Sequence, residues 1–148
     1  MIRYRAFSAL FVALMFMGCE HVSNNEDFGC NIPFVESDFP AATVSFQNDV
    51  LPIFANNSCS SQFCHGNEDS PPSNFLVLTA ESVLGPGNEA VQLETCDVTR
   101  GKPDESYIIK KLMGTAEIGE RMPLGGNAIA TEDLNTIRQW IIEGARDN

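Results

Sequence analysis

The run Cys59-Ser60-Ser61-Gln62-Phe63-Cys64-His65-Gly66 sets two cysteines four residues apart, with a histidine directly after the second. A cysteine pair ending in Cys-His suits covalent haem attachment: two thioether bonds hold the porphyrin edge while the adjacent imidazole reaches the iron. The usual spacing leaves two residues between the cysteines. The two extra residues here can bulge outward while both sulfurs still face one porphyrin edge. The same residue types serve two other chemistries. Cys59, Cys64, His65 and Cys96 are a permitted zinc set, and Cys59 and Cys64 could close a plain disulfide. Zinc is the weaker reading, because zinc ligands are usually spaced so that both can turn inward, and Cys64 and His65 are adjacent.

If the two sulfurs bond to carbon, only His65 ligates iron, and a sixth ligand comes from elsewhere or is absent. Beyond the first 18 residues the chain has two histidines, His21 and His65, and two methionines, Met113 and Met122. His21 stands close to the N-terminal segment and is set aside. Met113 falls on a helix face, where filling the core is the expected role. Met122 stands in a loop, followed by a proline that restricts the backbone. A thioether there, opposite His65, would complete His/Met ligation and raise the potential toward electron transfer. An ordinary loop methionine is the other reading of Met122, and an open sixth position would suit a peroxidase-like enzyme. No nucleophile–base pair or paired-acid motif stands out, so the expectation is a protein that is not an enzyme.

These residues need elements to hold them. Ser45 to Asn57 is a helix candidate that delivers the chain into Cys59, with Phe46, Val50, Ile53 and Phe54 on one face and Ser45 as its cap. Pro52 requires that this helix start late or bend. Gly66 to Asn74 reads as loop, where Pro71 or Pro72 could turn a carbonyl toward His65. Phe75 to Leu78 is a short apolar run, and Thr79 could cap one turn over Ala80 to Leu84. Asp104 to Met113 reads as a second helix, opened by Pro103-Asp104 and closed by Gly114. Ile109, Leu112 and Met113 share its face. A glycine-spaced loop from Gly114 to Ala130 carries Met122. The last helix is capped by Thr131, has Glu132 and Asp133 in its first turn, and bears Leu134, Ile137, Ile141 and Trp140. Its expected partners are Phe46 and Phe54. Helical segments predominate, so the expected class is all-α.

With 148 residues there is room for one small domain. A formal net charge of −11 argues against nucleic acid as a partner. Scattered acids fit a solvated surface first and steering toward a basic partner second. Arg3 and Arg5 precede an apolar run from Ala6 to Met17 that is too short to span a membrane comfortably. Gly18-Cys19 ends it like a bacterial lipoprotein signal. The expected organisation is a signal peptide over 1–18, a flexible tether over 19–43 lipid-anchored at Cys19, and a domain over 44–148. The location is exported, either periplasmic or outer-membrane. Export obliges every cysteine to have a fate. If Cys59 and Cys64 take haem and Cys19 takes lipid, Cys30 and Cys96 remain, and counting pairs them.

Five stretches in order, Phe46 to Phe54, Cys59 to Gly66, Pro103 to Leu112, Arg121 to Gly126 and Ile137 to Ala145, resemble a class I-like cytochrome c-type monohaem domain. The likeness is to the small haem-binding domains of exported planctomycete and myxobacterial proteins, and it spans about Val44 to Ala145. The resemblance implies one covalent haem c on Cys59 and Cys64, with His65 as proximal and Met122 as distal ligand. It also implies a small helical fold in which the first and last helices cross, and a redox protein as partner. The family often shows Pro-Gly-Asp-Pro where this chain has Arg100-Gly101-Lys102-Pro103, a change that should not touch the iron. The rival to this reading is a haem-free structural or binding lipoprotein with a Cys59–Cys64 disulfide.

Overall fold

A computed structural model describes Cys30, residues 34–61, 63–66, Leu78, Leu93 and 95–148. The leader, Cys19, His21, Pro71, Pro72, Phe75 to Val77 and the turn proposed after Thr79 lie outside the described residues. The described elements are helical, and no strand occurs among the described residues. Helix α1 is Leu51–Asn56, entered through a π-helical turn over Phe46–Val50. Ser45 caps the turn: its Oγ accepts from the Asn48 N–H at 3.1 Å, while its own N–H donates to Asp49 Oδ2 at 2.8 Å. The wide winding accommodates Pro52. Val50 N–H reaches back five residues to the Ser45 carbonyl, and α geometry begins only at Leu51. Pro52 therefore falls in the first turn of α1, where its lack of an N–H is tolerated.

The helix expected over Asp104–Met113 is broken in two. A 3-10 turn over Pro103–Glu105 precedes helix α2, Tyr107–Met113, and Ser106 between them is extended (φ −78°, ψ 123°). Ser106 is buried, and its Oγ accepts from Thr99 N–H at 2.9 Å and bonds the Lys102 carbonyl at 3.0 Å. The start of α2 is satisfied by backbone: Tyr107 and Ile108 N–H donate to the Cys96 and Asp97 carbonyls. Met113 is not core filler, as it is 51% exposed. At about 100° per residue, buried Tyr107, Ile108, Ile109, Lys111 and Leu112 occupy one arc of the helix, and Lys110 and Met113 fall on the remaining face.

Helix α3 is Thr131–Ile142. Its N-cap is Ala130 rather than Thr131, because Ala130 already carries the extended backbone (φ −60°, ψ 147°) and its carbonyl takes the first helical bond from Leu134. Ile137, Trp140 and Ile141 are fully buried, with Leu134 at the margin. The Phe46 ring lies 5.1 Å from Trp140, tilted at 38°, and Phe54 joins the same cluster. Trp140 Nε1–H donates to the Arg146 carbonyl at 2.8 Å, so the indole is buried without stranding its polar edge.

The described part of the expected tether makes specific contacts with the domain. Cys30 is disulfide-bonded to Cys96. Phe34 and Phe39 stack with centroids 5.5 Å apart, and the guanidinium groups of Arg100 and Arg146 both lie over the Phe34 ring. Thr43 and Val44 N–H both donate to Glu143 Oε2, at 2.8 and 2.9 Å.

Candidate functional site

Helix α1 ends in a Schellman motif that places Cys59. Ser58 takes the left-handed conformation (φ 59°), its N–H donates to the Ala55 carbonyl, and Cys59 N–H donates to the Phe54 carbonyl at 2.8 Å. Glycine is the usual residue at such a position, because a Cβ is penalised there. The first residue past the motif commonly packs back on the helix, and Cys59 does so against the hydrophobic core.

The loop that follows closes on itself. His65 N–H donates to the Cys59 carbonyl at 2.9 Å, and Cys64 and Gly66 N–H both donate to the Ser61 carbonyl at 2.9 Å. A Cβ on Gly66 would fall 2.6 Å from the Ser60 oxygen, so only glycine lets the strand of chain return this closely. Cys59, Cys64 and His65 are half-buried, while Phe63 is 74% exposed at the outside of the bulge. The Cys59 and Cys64 thiols are not bonded to each other. Burial of Cys59, and then the neighbouring Cys64 sulfur, push the Cys59 thiol above its ordinary pKa, against a smaller opposing pull from its own backbone N–H. Cys59 therefore remains protonated at neutral pH. The His65 carbonyl accepts from Leu78 N–H at 3.3 Å, which ties the motif to a core residue.

Met122 reaches the same hydrophobic cluster as Cys59, from the other side of the sequence. Its N–H donates to the Lys111 carbonyl at 3.0 Å, which fixes it to the last turn of α2. Arg121 holds the loop from within: its Nη2 donates to the Gly126 carbonyl at 2.7 Å, and its side chain packs over Gly114. The peptide bond between Met122 and Pro123 is cis. Sequence reading did not single out Ser58, and it assigned no contacts to Arg121 or to buried Lys111. Ser58 has no sequence mark because a serine at a left-handed position looks like any loop serine, and the other two depend on how the loop after α2 folds back, which sets their bonds to the Ile118 and Gly126 carbonyls.

The zinc set loses a member, since Cys96 is committed to Cys30. Among the described residues no three His, Cys, Asp or Glu side chains gather where they could hold a metal ion directly. The Cys59 and Cys64 thiols and the His65 imidazole share one closed loop, and the Met122 thioether packs on the same core cluster as Cys59. No helix among the described residues is long and apolar enough to cross a membrane. Compared with family models, curated proteins and solved structures, the chain matches none.

Proposed function

We propose that the chain is an exported, lipid-anchored monohaem c-type cytochrome that carries single electrons. One observation carries this reading: in a chain whose other two described cysteines are paired, Cys59 and Cys64 stay unbonded on a loop closed by the His65–Cys59 backbone bond, against the core that Met122 also touches. The residues fit the group. Cys59 and Cys64 would supply the thioethers, each adding its S–H across a porphyrin vinyl group. His65 and Met122 would face the iron, and Phe63, within the four-residue bulge, is 74% exposed. The bound haem would supply a one-electron couple. The chain's own contribution would be to hold both ligand segments in place, through the His65 N–H bond to the Cys59 carbonyl and the Met122 N–H bond to the Lys111 carbonyl.

The test is expression with a c-haem maturation system, followed by spectroscopy and mass measurement of the exported chain. A Soret band and one added haem mass are expected, both lost in Cys59→Ala/Cys64→Ala. Met122→Ala should abolish the weak methionine-to-iron band at the red end of the oxidised spectrum while leaving the Soret band. A mature chain of unmodified mass, where control cytochromes acquire haem, removes the proposal.

A further inference from the structure

One side chain braces the turn that carries Met122. Beyond the Met122–Lys111 backbone bond, Gly126 N–H closes the turn on the Pro123 carbonyl at 3.1 Å, with Gly125 in left-handed backbone (φ 66°). The Arg121 guanidinium bridges the two ends: Nη1 donates to the Met122 carbonyl at 3.4 Å and Nη2 to the Gly126 carbonyl at 2.7 Å. Among the described residues no other side chain bonds either carbonyl, and no carboxylate pairs with Arg121. Its charge is therefore spent on backbone oxygens of this turn.

The stem of Arg121 is aimed by α2. Gly114 closes that helix at φ 73°, and a Cβ built on it would lie 3.0–3.2 Å from Arg121 Cβ, Cγ and Cδ. Only a bare Gly114 lets the arginine lie this close across the helix end. A planar guanidinium offers its N–H groups in a fixed fork, whereas a lysine ammonium is a compact point donor on a flexible stem. Bridging two carbonyls at opposite ends of one turn calls for the fork.

We propose that Arg121 is the positioning residue for Met122: by latching the Met122–Gly126 turn onto the end of α2, it sets how readily an outside nitrogen ligand displaces the thioether. This rests on the haem reading above. The displacement breaks an iron–sulfur bond and forms an iron–nitrogen bond, with no electron transferred. An outside ligand's apparent affinity scales with the fraction of molecules whose position is open, so a loosened latch shows as tighter binding. The Met122 N–H bond to Lys111 holds one point of the turn; the arginine fixes its two ends relative to each other and to the helix.

The test titrates imidazole into the oxidised, haem-loaded chain and reads loss of the methionine-to-iron band. Arg121→Lys keeps the charge and loses the fork; it is expected to bind imidazole about tenfold more tightly than the parent, with an unchanged Soret intensity before imidazole is added. Arg121→Ala should do the same. Gly144→Ala is the control, because its added Cβ meets the Phe34 and Phe39 rings and does not touch the turn. Its imidazole affinity should stay within about twofold of the parent. Amide hydrogen exchange at Met122 and Gly126 should quicken about tenfold in Arg121→Lys. Parent-like imidazole binding in Arg121→Lys overturns the latch, even where Arg121→Ala binds more tightly, since charge alone would then suffice. An equal gain in Gly144→Ala also overturns it, by making general loosening the cause. A chain without a Soret band overturns this proposal together with the haem reading. A Soret-positive parent without the methionine band overturns it together with the role of Met122.

Discussion

Two residues in left-handed backbone do opposite things to stability. Ser58 tolerates φ 59° so that Cys59 can bond back to Phe54, and the strain of a Cβ there is worth about 1 kcal/mol. Ser58→Gly is expected to raise the stability by about that amount in a denaturant titration, without moving the Soret band. A loss of stability would show that the serine hydroxyl, not the backbone, matters at this turn. Gly144 ends α3 at φ 93°, and a Cβ on it would lie 2.8 Å from both the Phe34 and Phe39 rings. Gly144→Ala combines the backbone penalty with overpacking against two stacked rings, and should cost about 2–4 kcal/mol. Equal stability of the two proteins would mean that segment 34–39 does not sit on the end of α3 in solution.

At the scale of elements, α3 is the post to which the N-terminal segment is tied. Glu143, 1% exposed, accepts from Gln139 Nε2, Thr43 Oγ1 and the backbone N–H groups of Thr43 and Val44. Burial pushes its carboxyl up, but the bonds from Gln139, Thr43 and Val44 outweigh burial and hold the pKa at about 2, below the ordinary 4.5. A carboxyl depressed in the folded state stabilises it above the unfolded pKa, and that contribution is lost as pH falls from about 4.5 through about 2. The thermal midpoint should therefore fall across this window. Glu143→Gln should start lower at pH 7 and fall less steeply below pH 5, since its amide cannot titrate. Parallel curves for the two proteins would remove Glu143 as the acid-sensitive link.

For the whole molecule, the Cys30–Cys96 bond closes a span of 66 residues that contains the Cys59-to-His65 segment. In the chain-entropy account, a loop of that length stabilises by roughly 4 kcal/mol. Cys30→Ser/Cys96→Ser should lose that much in equilibrium unfolding, and the loss should appear with or without haem, because the bond acts on the unfolded chain. If the loss vanishes in the haem-loaded protein, the disulfide acts by shaping the motif instead. The bond and the Glu143 tie also decide how an anchor at Cys19 would bear on the domain: any pull arrives at Cys30 and is shared with Cys96 rather than entering at Phe46.

The candidate site was proposed from types and spacing alone, because a Cys-His adjacency and a loop methionine before proline are local facts. So were the apolar faces of α1 and α3 and the meeting of Phe46 with Trp140, since helical period and side-chain size are written in the chain. Counting also paired Cys30 with Cys96. What no local pattern contained was whatever depends on how the chain folds back on itself. The break at Ser106 follows from its bond to Thr99, seven residues before it. The exposure of Met113 follows from how far the buried arc of α2 extends, and the shift of the cap from Thr131 to Ala130 from the backbone of the incoming loop. The contacts of Phe34 to Thr43 follow from two arginines and a glutamate 66 to 112 residues later. Residue types and their period carry intrinsic preference and chemistry; only the assembled chain decides which distant carbonyl, ring or carboxylate each polar group meets, because burial removes the water that would otherwise satisfy it anywhere.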